Sequence, residues 1–285
     1  MSQSLQWAHS FGGTNDDYGT SVAVGPSGNV YSTGHYVGPV DFDPGIGSHI
    51  LPNNNSGFLC KLSPNGNFIW AQPLINTSYM VQSHDIKVDA AENVYVTGNF
   101  SGTCDFDPGP GVFNMTCGGF SGHCSFITKY DSSGDFIWAK SYVADSSQPG
   151  SVQSWGIAID GAGNVLTTGF FAGSVDFDSG IGSQLRQSNG AGFEDAFIVK
   201  LSSAGNFLWV QRLGDLDDDR AHSIGLDFAG NAYILGSGYG GVGSQYSGGL
   251  DFWVCKFDPS GTLLWESSCG GPGFDTGFDI AVDSA

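Results

Sequence analysis

Residues 163–169 read Gly-Asn-Val-Leu-Thr-Thr-Gly, and the same pattern stands at 28–34 (Gly-Asn-Val-Tyr-Ser-Thr-Gly), 92–98 (Glu-Asn-Val-Tyr-Val-Thr-Gly) and 230–236 (Gly-Asn-Ala-Tyr-Ile-Leu-Gly). Each copy continues through a polar excursion into a short apolar run holding Lys61, Lys129, Lys200 or Lys256, and closes on Trp70, Trp138, Trp209 or Trp265. Two independent landmarks, the turn Asn and the closing Trp, therefore recur in one order. Self-similarity at such a long period marks an array of supersecondary units that bury a core only by stacking on one another. Most other positions differ between copies, as expected of natural divergence after duplication.

The 285 residues are read as one continuous array, 1–285. Forty-five glycines and eleven prolines leave no helical window of ordinary length. Apolar residues alternate instead, as in Phe197, Val199 and Leu201 against Ile198 and Lys200, which is the period of a half-buried strand. In the third copy, Gly156 to Asp160 reads as a strand and Val165 to Phe171 as a second. Phe197 to Leu201 and Phe207 to Leu213 follow as a third and a fourth, joined by tight Gly-containing turns. Four antiparallel strands in this order make one propeller blade.

These stretches resemble the seven-bladed β-propeller repeat family of bacterial, usually exported proteins. The residues that carry the resemblance are Asp89 to Gly98, Val175 to Gly180, Phe197 to Leu201 and Gly205 to Trp209, with counterparts in the other copies. The resemblance covers nearly the whole chain and implies an all-β fold, a β-propeller with four complete four-stranded antiparallel blades at roughly 20–74, 84–143, 155–213 and 222–267. It says little of function, because propellers host unrelated activities. Leu5 to Phe11 matches only a fourth strand and Gly277 to Asp283 only a first, so the expectation is an orphan strand at each end, 5–11 and 277–283. An unfinished blade invites self-association or a partner, and is expected of a segment of a longer array.

A formal net charge of −19, from nine basic and twenty-eight acidic residues, argues against nucleic acid and against anionic membranes as partners, and favours cations. No apolar run is long enough to span a bilayer, and Met1 to Gln6 is not a signal peptide. The six cysteines are compatible with an oxidising compartment. Cys104, Cys117 and Cys124 crowd one repeat, and Cys255 and Cys269 another, without spacing that fixes a pairing, so disulfides and buried thiols both stand. Without a Cys-x-x-Cys pair, zinc is not expected.

The strongest candidate for chemistry is an acidic turn present three times: Asp41-Phe42-Asp43, Asp105-Phe106-Asp107 and Asp176-Phe177-Asp178. Alternate carboxylates followed by Pro-Gly or Ser-Gly suit calcium as a possible cofactor, although the full loop with a terminal bidentate Glu is absent. The competing expectation is that one Asp caps the turn and the other pairs with a blade lysine. The fourth copy replaces this turn by a Gly/Ser-rich excursion at 236–249, so a site built on it should be missing there. His84, Trp155 and His222 stand at the entrance to first strands, which in the resembling family line the channel, and are channel candidates for acid/base or metal work. Asp215 to Asp219 is an acidic run suited to collecting a cation or to a solvated loop. The repeated tryptophans fit packing between blades better than sugar stacking.

No nucleophile elbow, phosphate loop or dinucleotide fingerprint occurs in its proper context. The reading is a non-catalytic scaffold, extracellular or at the cell surface, that recognises protein or glycan through its loops. The alternatives are a glycan-acting hydrolase or lyase working at the channel mouth, and a propeller fragment without activity of its own.

Overall fold

The structure, a computed structural model, describes residues 4–51, 56–75, 80–118, 123–145, 149–190, 192–239 and 249–283. All of its regular elements are strands. The first sheet orders β1 (Tyr18–Val24), β2 (Val30–Tyr36), β5 (Ser56–Leu62) and β6 (Phe68–Pro73), with a small ribbon of β3 (Val40–Asp41) and β4 (Ile50–Leu51) in the excursion. The second orders β7 (Val81–Val88), β8 (Val94–Phe100), β11 (Cys124–Tyr130) and β12 (Phe136–Ala144), with ribbon β9 (Thr103–Asp105) and β10 (Asn114–Thr116). In the third, β13 (Ser151–Ile159), β14 (Val165–Ala172), β17 (Glu194–Leu201) and β18 (Phe207–Leu213) pair in turn; its ribbon of β15 (Ser174–Asp176) and β16 (Leu185–Gln187) joins the edge of β12. The fourth is β19 (Asp219–Leu226), β20 (Ala232–Gly238), β21 (Asp251–Phe257) and β22 (Leu263–Cys269).

The chain packs as two compact units, 1–116 with 127–139, and 117–126 with 140–285. In the first, Tyr36, Phe42, Phe58 and Cys60 form a core against which Trp7 and Phe11 pack. In the second, Leu166, Ile198, Ile234, Trp253 and Cys255 do so. The third strand of each of the first three sheets, β5, β11 and β17, is buried along almost its whole length, because both of its faces meet apolar neighbours.

First strands start two to four residues before the expected points, at Tyr18, Val81, Ser151 and Asp219. The reason is a β-bulge in each. Pairing skips one residue between Gly19 and Ser21, Ser83 and Asp85, Ser154 and Gly156, and Ala221 and Ser223. The skipped residues are Thr20, His84, Trp155 and His222, so alternation breaks there and hides the beginning of the strand. The bulge also explains the last Gly of the recurring motif. A Cβ on Gly34, Gly98 or Gly169 would lie 1.9–2.0 Å from the carbonyl oxygen of Tyr18, Gln82 or Gln153 on the bulged strand.

The expected orphan strands are not seen: neither 5–11 nor 277–283 is a strand. Each nevertheless docks as its repeat counterpart does. The Trp7 indole donates to the Pro64 carbonyl at 3.0 Å, as Trp70 does to Ser132 and Trp209 to Pro259. The Ser223 hydroxyl donates to Asp279 at 2.6 Å, as Ser21 does to Asp85. Cys117 and Cys124 form a disulfide, whereas Cys255 and Cys269 carry none. No helix is long and apolar enough to cross a membrane among the described residues.

Candidate functional site

The three acidic turns share one hydrogen-bond plan. The carboxylate of Asp41 accepts from the backbone N–H of Asp43 (3.0 Å) and His49 (2.8 Å). Asp105 accepts from Asp107 (3.2 Å) and Phe113 (2.7 Å), and Asp176 from Asp178 (3.0 Å) and Gln184 (2.8 Å). The second Asp of each turn, Asp43, Asp107 or Asp178, accepts from Gly45, Gly109 or Gly180 at 2.8 Å. Its other oxygen lies so close to Gly47, Gly111 or Gly182 that no Cβ fits there. The Phe between the two carboxylates is buried, with the Phe42 ring 4.8 Å from Phe58 and Phe177 4.9 Å from Phe197. The motif thus anchors a ribbon by its Phe and caps the ribbon's loop at both carboxylates. The backbone N–H of His49 foremost holds Asp41 below the usual carboxylate range. Among the described residues no group of three or more His, Cys, Asp or Glu side chains converges on a metal-binding point. The matching excursion of the fourth copy falls largely on 240–248, outside the described residues.

Three of the four blade lysines, Lys61, Lys200 and Lys256, meet acids outside these turns. Lys200 meets Asp160 at 2.9 Å and Lys256 meets Asp227 at 3.4 Å, both acids of the first hairpin turn. That acid takes the turn's N–H groups: Asp160 accepts from Ala162 and Asn164, and Asp89 from Ala91 and Asn93. Lys256 and Lys129 also lie 4.7 and 4.9 Å over Tyr233 and Tyr95. The first copy has Gly25 where the others have Asp. Glu92, reaching over from the second sheet, accepts instead from Ser27 N–H (2.9 Å), the Ser27 hydroxyl, Asn29 (3.1 Å) and Tyr31 (2.8 Å), and pairs with Lys61 at 3.4 Å. Glu92 holds a left-handed backbone (φ 63°) at the place where Gly28, Gly163 and Gly230 stand in the other copies. Sequence reasoning missed this substitution, although Gly25 and Glu92 are both visible as departures from the repeat.

Two further buried acids flank Gly214. Asp195 and Asp219 are fully buried, and each has an oxygen 2.8 Å from where a Gly214 Cβ would lie. Arg212 pairs with Asp195 at 2.7 Å, and the Asp215 N–H donates to Asp219 at 3.0 Å. Burial, with Asp215, Asp195 and Asp217 nearby, pushes Asp219 up to about 7. Of the acidic run, Asp219 is therefore a buried structural acid, and the Asp217 N–H donates to Asp215 within the loop.

The channel candidates fall at the bulges, and the second compact unit brings two of them together. The Trp155 and His222 rings lie 5.3 Å apart, and Trp155 stands edge-on to Phe170 at 5.5 Å. The Arg220 guanidinium sits 4.9 Å over the other ring neighbour, Phe170, and its Nε donates to Glu194 at 2.5 Å. His222 contacts the Ser237 hydroxyl at 2.8 Å through Nε2, and burial, then Arg220, lowers its pKa, so the imidazole is neutral at pH 7. His84 holds the equivalent bulge in the second sheet. This group sets an indole and an imidazole beside the Arg220 to Glu194 ion pair.

Residues 208–242 match the Beta-propeller repeat family. An uncharacterized WD repeat-containing protein of Acanthamoeba polyphaga mimivirus is 30% identical over 260 residues, covering 77% of this chain and 18% of that protein. Regulatory protein FlaEY of Caulobacter vibrioides is 27% identical over 169 residues, 56% of this chain and 17% of that protein. The chain thus spans less than a fifth of the length of these curated relatives. Together with the all-β sheets, these matches support a β-propeller repeat architecture.

Proposed function

We propose that the chain is a non-catalytic β-propeller scaffold that recognises a protein or glycan, and that it works outside the cell or at its surface. One observation carries this reading: the repeated polar residues are consumed by folding, which leaves no repeated set of acid, base and nucleophile for chemistry. The repeated Asp, Lys and Trp residues are engaged in turn caps, ion pairs and bonds to the next sheet's turn. A relative whose printed name is a WD repeat-containing protein favours the same class. The exposed apolar face of β1, with Tyr18, Val22 and Val24 about 60% exposed, supports a self-associating or partner-binding edge as well. The test is to incubate the chain with a panel of polysaccharides and read reducing ends and the 235 nm absorbance of unsaturated products. Turnover above buffer level refutes the reading, and its absence together with saturable binding of any panel member is the expected result.

A further inference from the structure

Repetition provides an internal control on which residues the fold needs. The same bulge forms around Thr20, His84, Trp155 and His222, so the bulge does not dictate the side chain placed there. Five of the seven tryptophans stand at the fourth-strand register, Trp7 included, and Trp253 is fully buried in the core. Trp155 alone of the seven is off that register and only partly buried. It stands on β13, with Phe170 of β14 and His222 of β19 against it, and the Arg220 to Glu194 pair of β19 and β17 beside Phe170, all in the second unit.

We propose that Trp155, His222, Arg220 and Glu194 form a binding site for a neutral, hydroxyl-rich ligand, that is, a glycan. Three features select this class. The partly buried Trp155 indole is held by Phe170 and His222, so little ordering is needed when a sugar ring stacks on it. The Arg220 to Glu194 pair, fixed on Phe170, offers planar donors beside carboxylate acceptors, which matches vicinal hydroxyls. The charges cancel locally: Arg220 is neutralised by Glu194, and His222 is uncharged at pH 7. An anionic ligand would gain little from the neutralised Arg220 and would meet the acidic residues 215–219 close by.

This inference rests on the reading of the chain as a non-catalytic binder, and one titration separates the two. The full chain is titrated with maltohexaose, cellohexaose, chitohexaose, xylohexaose and polygalacturonate, following tryptophan fluorescence, and reducing ends are read in parallel. The expected result is saturable binding of at least one neutral hexasaccharide, with affinity changing less than about twofold between low and high salt. Trp155→Thr, which installs the residue type of the first copy, should weaken binding about tenfold or more, as should Arg220→Gln. His222→Thr serves if Trp155→Thr does not fold. Binding unchanged in these variants, no binding of any neutral hexasaccharide, or tighter salt-sensitive binding of polygalacturonate overturns the site. Release of reducing ends from a bound oligosaccharide overturns the non-catalytic reading and leaves the site standing.

Discussion

Exchanging Gly25 and Glu92 tests whether the repeat's turn logic is transferable. In the other copies the acid sits inside its own hairpin turn, whereas the first turn borrows Glu92. Its carboxylate is held from the ordinary 4.5 down to about 2, first by the Ser27 hydroxyl and, against the cost of burial, by the Ser27 N–H, Tyr31 and Asn29. With only 16% of its side chain exposed, that shift corresponds to roughly 3 kcal/mol at most, and about 2 kcal/mol after solvent screening. Glu92→Gln should therefore lower stability by about 2 kcal/mol at pH 7 in urea denaturation. The sign with pH follows from linkage: the folded pKa is depressed, so the stabilisation is complete above about pH 4.5 and is lost as pH falls through about 2. The gap between wild type and variant should close over that window. Gly25→Asp combined with Glu92→Gly should restore stability to within about 1 kcal/mol, since it returns the acid to the turn and removes a non-Gly residue from the left-handed region. The nearest atoms to a Gly25 Cβ belong to Glu92 and the Tyr31 ring edge, at 3.0 and 3.1 Å, and the first of these leaves with the double change. A Glu92→Gln variant within about 0.5 kcal/mol of wild type at pH 7, or a double variant no better than the single, would refute the reasoning.

Gly169→Ala, whose Cβ would lie 1.9 Å from the Gln153 carbonyl oxygen, should cost about 3 kcal/mol or more by denaturation, whereas Gly161→Ala, with open space around it, should be neutral within about 1 kcal/mol. Asp219, raised from 3.8 to about 7 by burial, binds its proton in the folded state, so its contribution is complete below about pH 3.8 and lost as pH rises through 7. Asp219→Asn should be more stable than wild type at pH 8 and lose that advantage near pH 4; a pH-independent difference would sink the assignment. The acidic turns are already capped by backbone N–H groups, so the Tm should respond to calcium no more than to magnesium at matched ionic strength. A calcium-specific rise abolished by Asp176→Asn with Asp178→Asn would show that these turns bind the ion.

Period and alternation were legible because they are properties of the chain itself: Asn29, Asn93, Asn164 and Asn231 recur in order, and each stands in a first hairpin turn of the structure. The bulges were not legible, since they depend on a glycine in the partner strand, as Gly98 admits the Gln82 carbonyl opposite His84. The short first strands inferred from alternation stopped at that break. The lysine partners were misassigned for a related reason. Both turns offer an Asp, and only the strand register places Lys200 beside Asp160 while Asp176 is spent on its own loop. Of the site, the sequence named Trp155 and His222, but nothing in it joined them to Arg220, Phe170 and Glu194. That grouping exists only because β13 and β19 bring two bulges side by side.

Departures from a repeat therefore divide into two kinds, and the division locates function. Gly25 is a loss that the fold repairs, because an empty acid position would leave the turn's N–H groups and Lys61 without their partner; Glu92 appears in compensation and the hydrogen-bond count is preserved. Thr20, His84, Trp155 and His222 are departures that nothing repairs, because the bulge closes equally well around a hydroxyl, an imidazole or an indole. A position whose chemistry varies without compensation is free of folding constraint. Trp155 and His222 are two such positions, brought together on neighbouring strands beside the Arg220 to Glu194 pair, which is why the proposed glycan site is placed there.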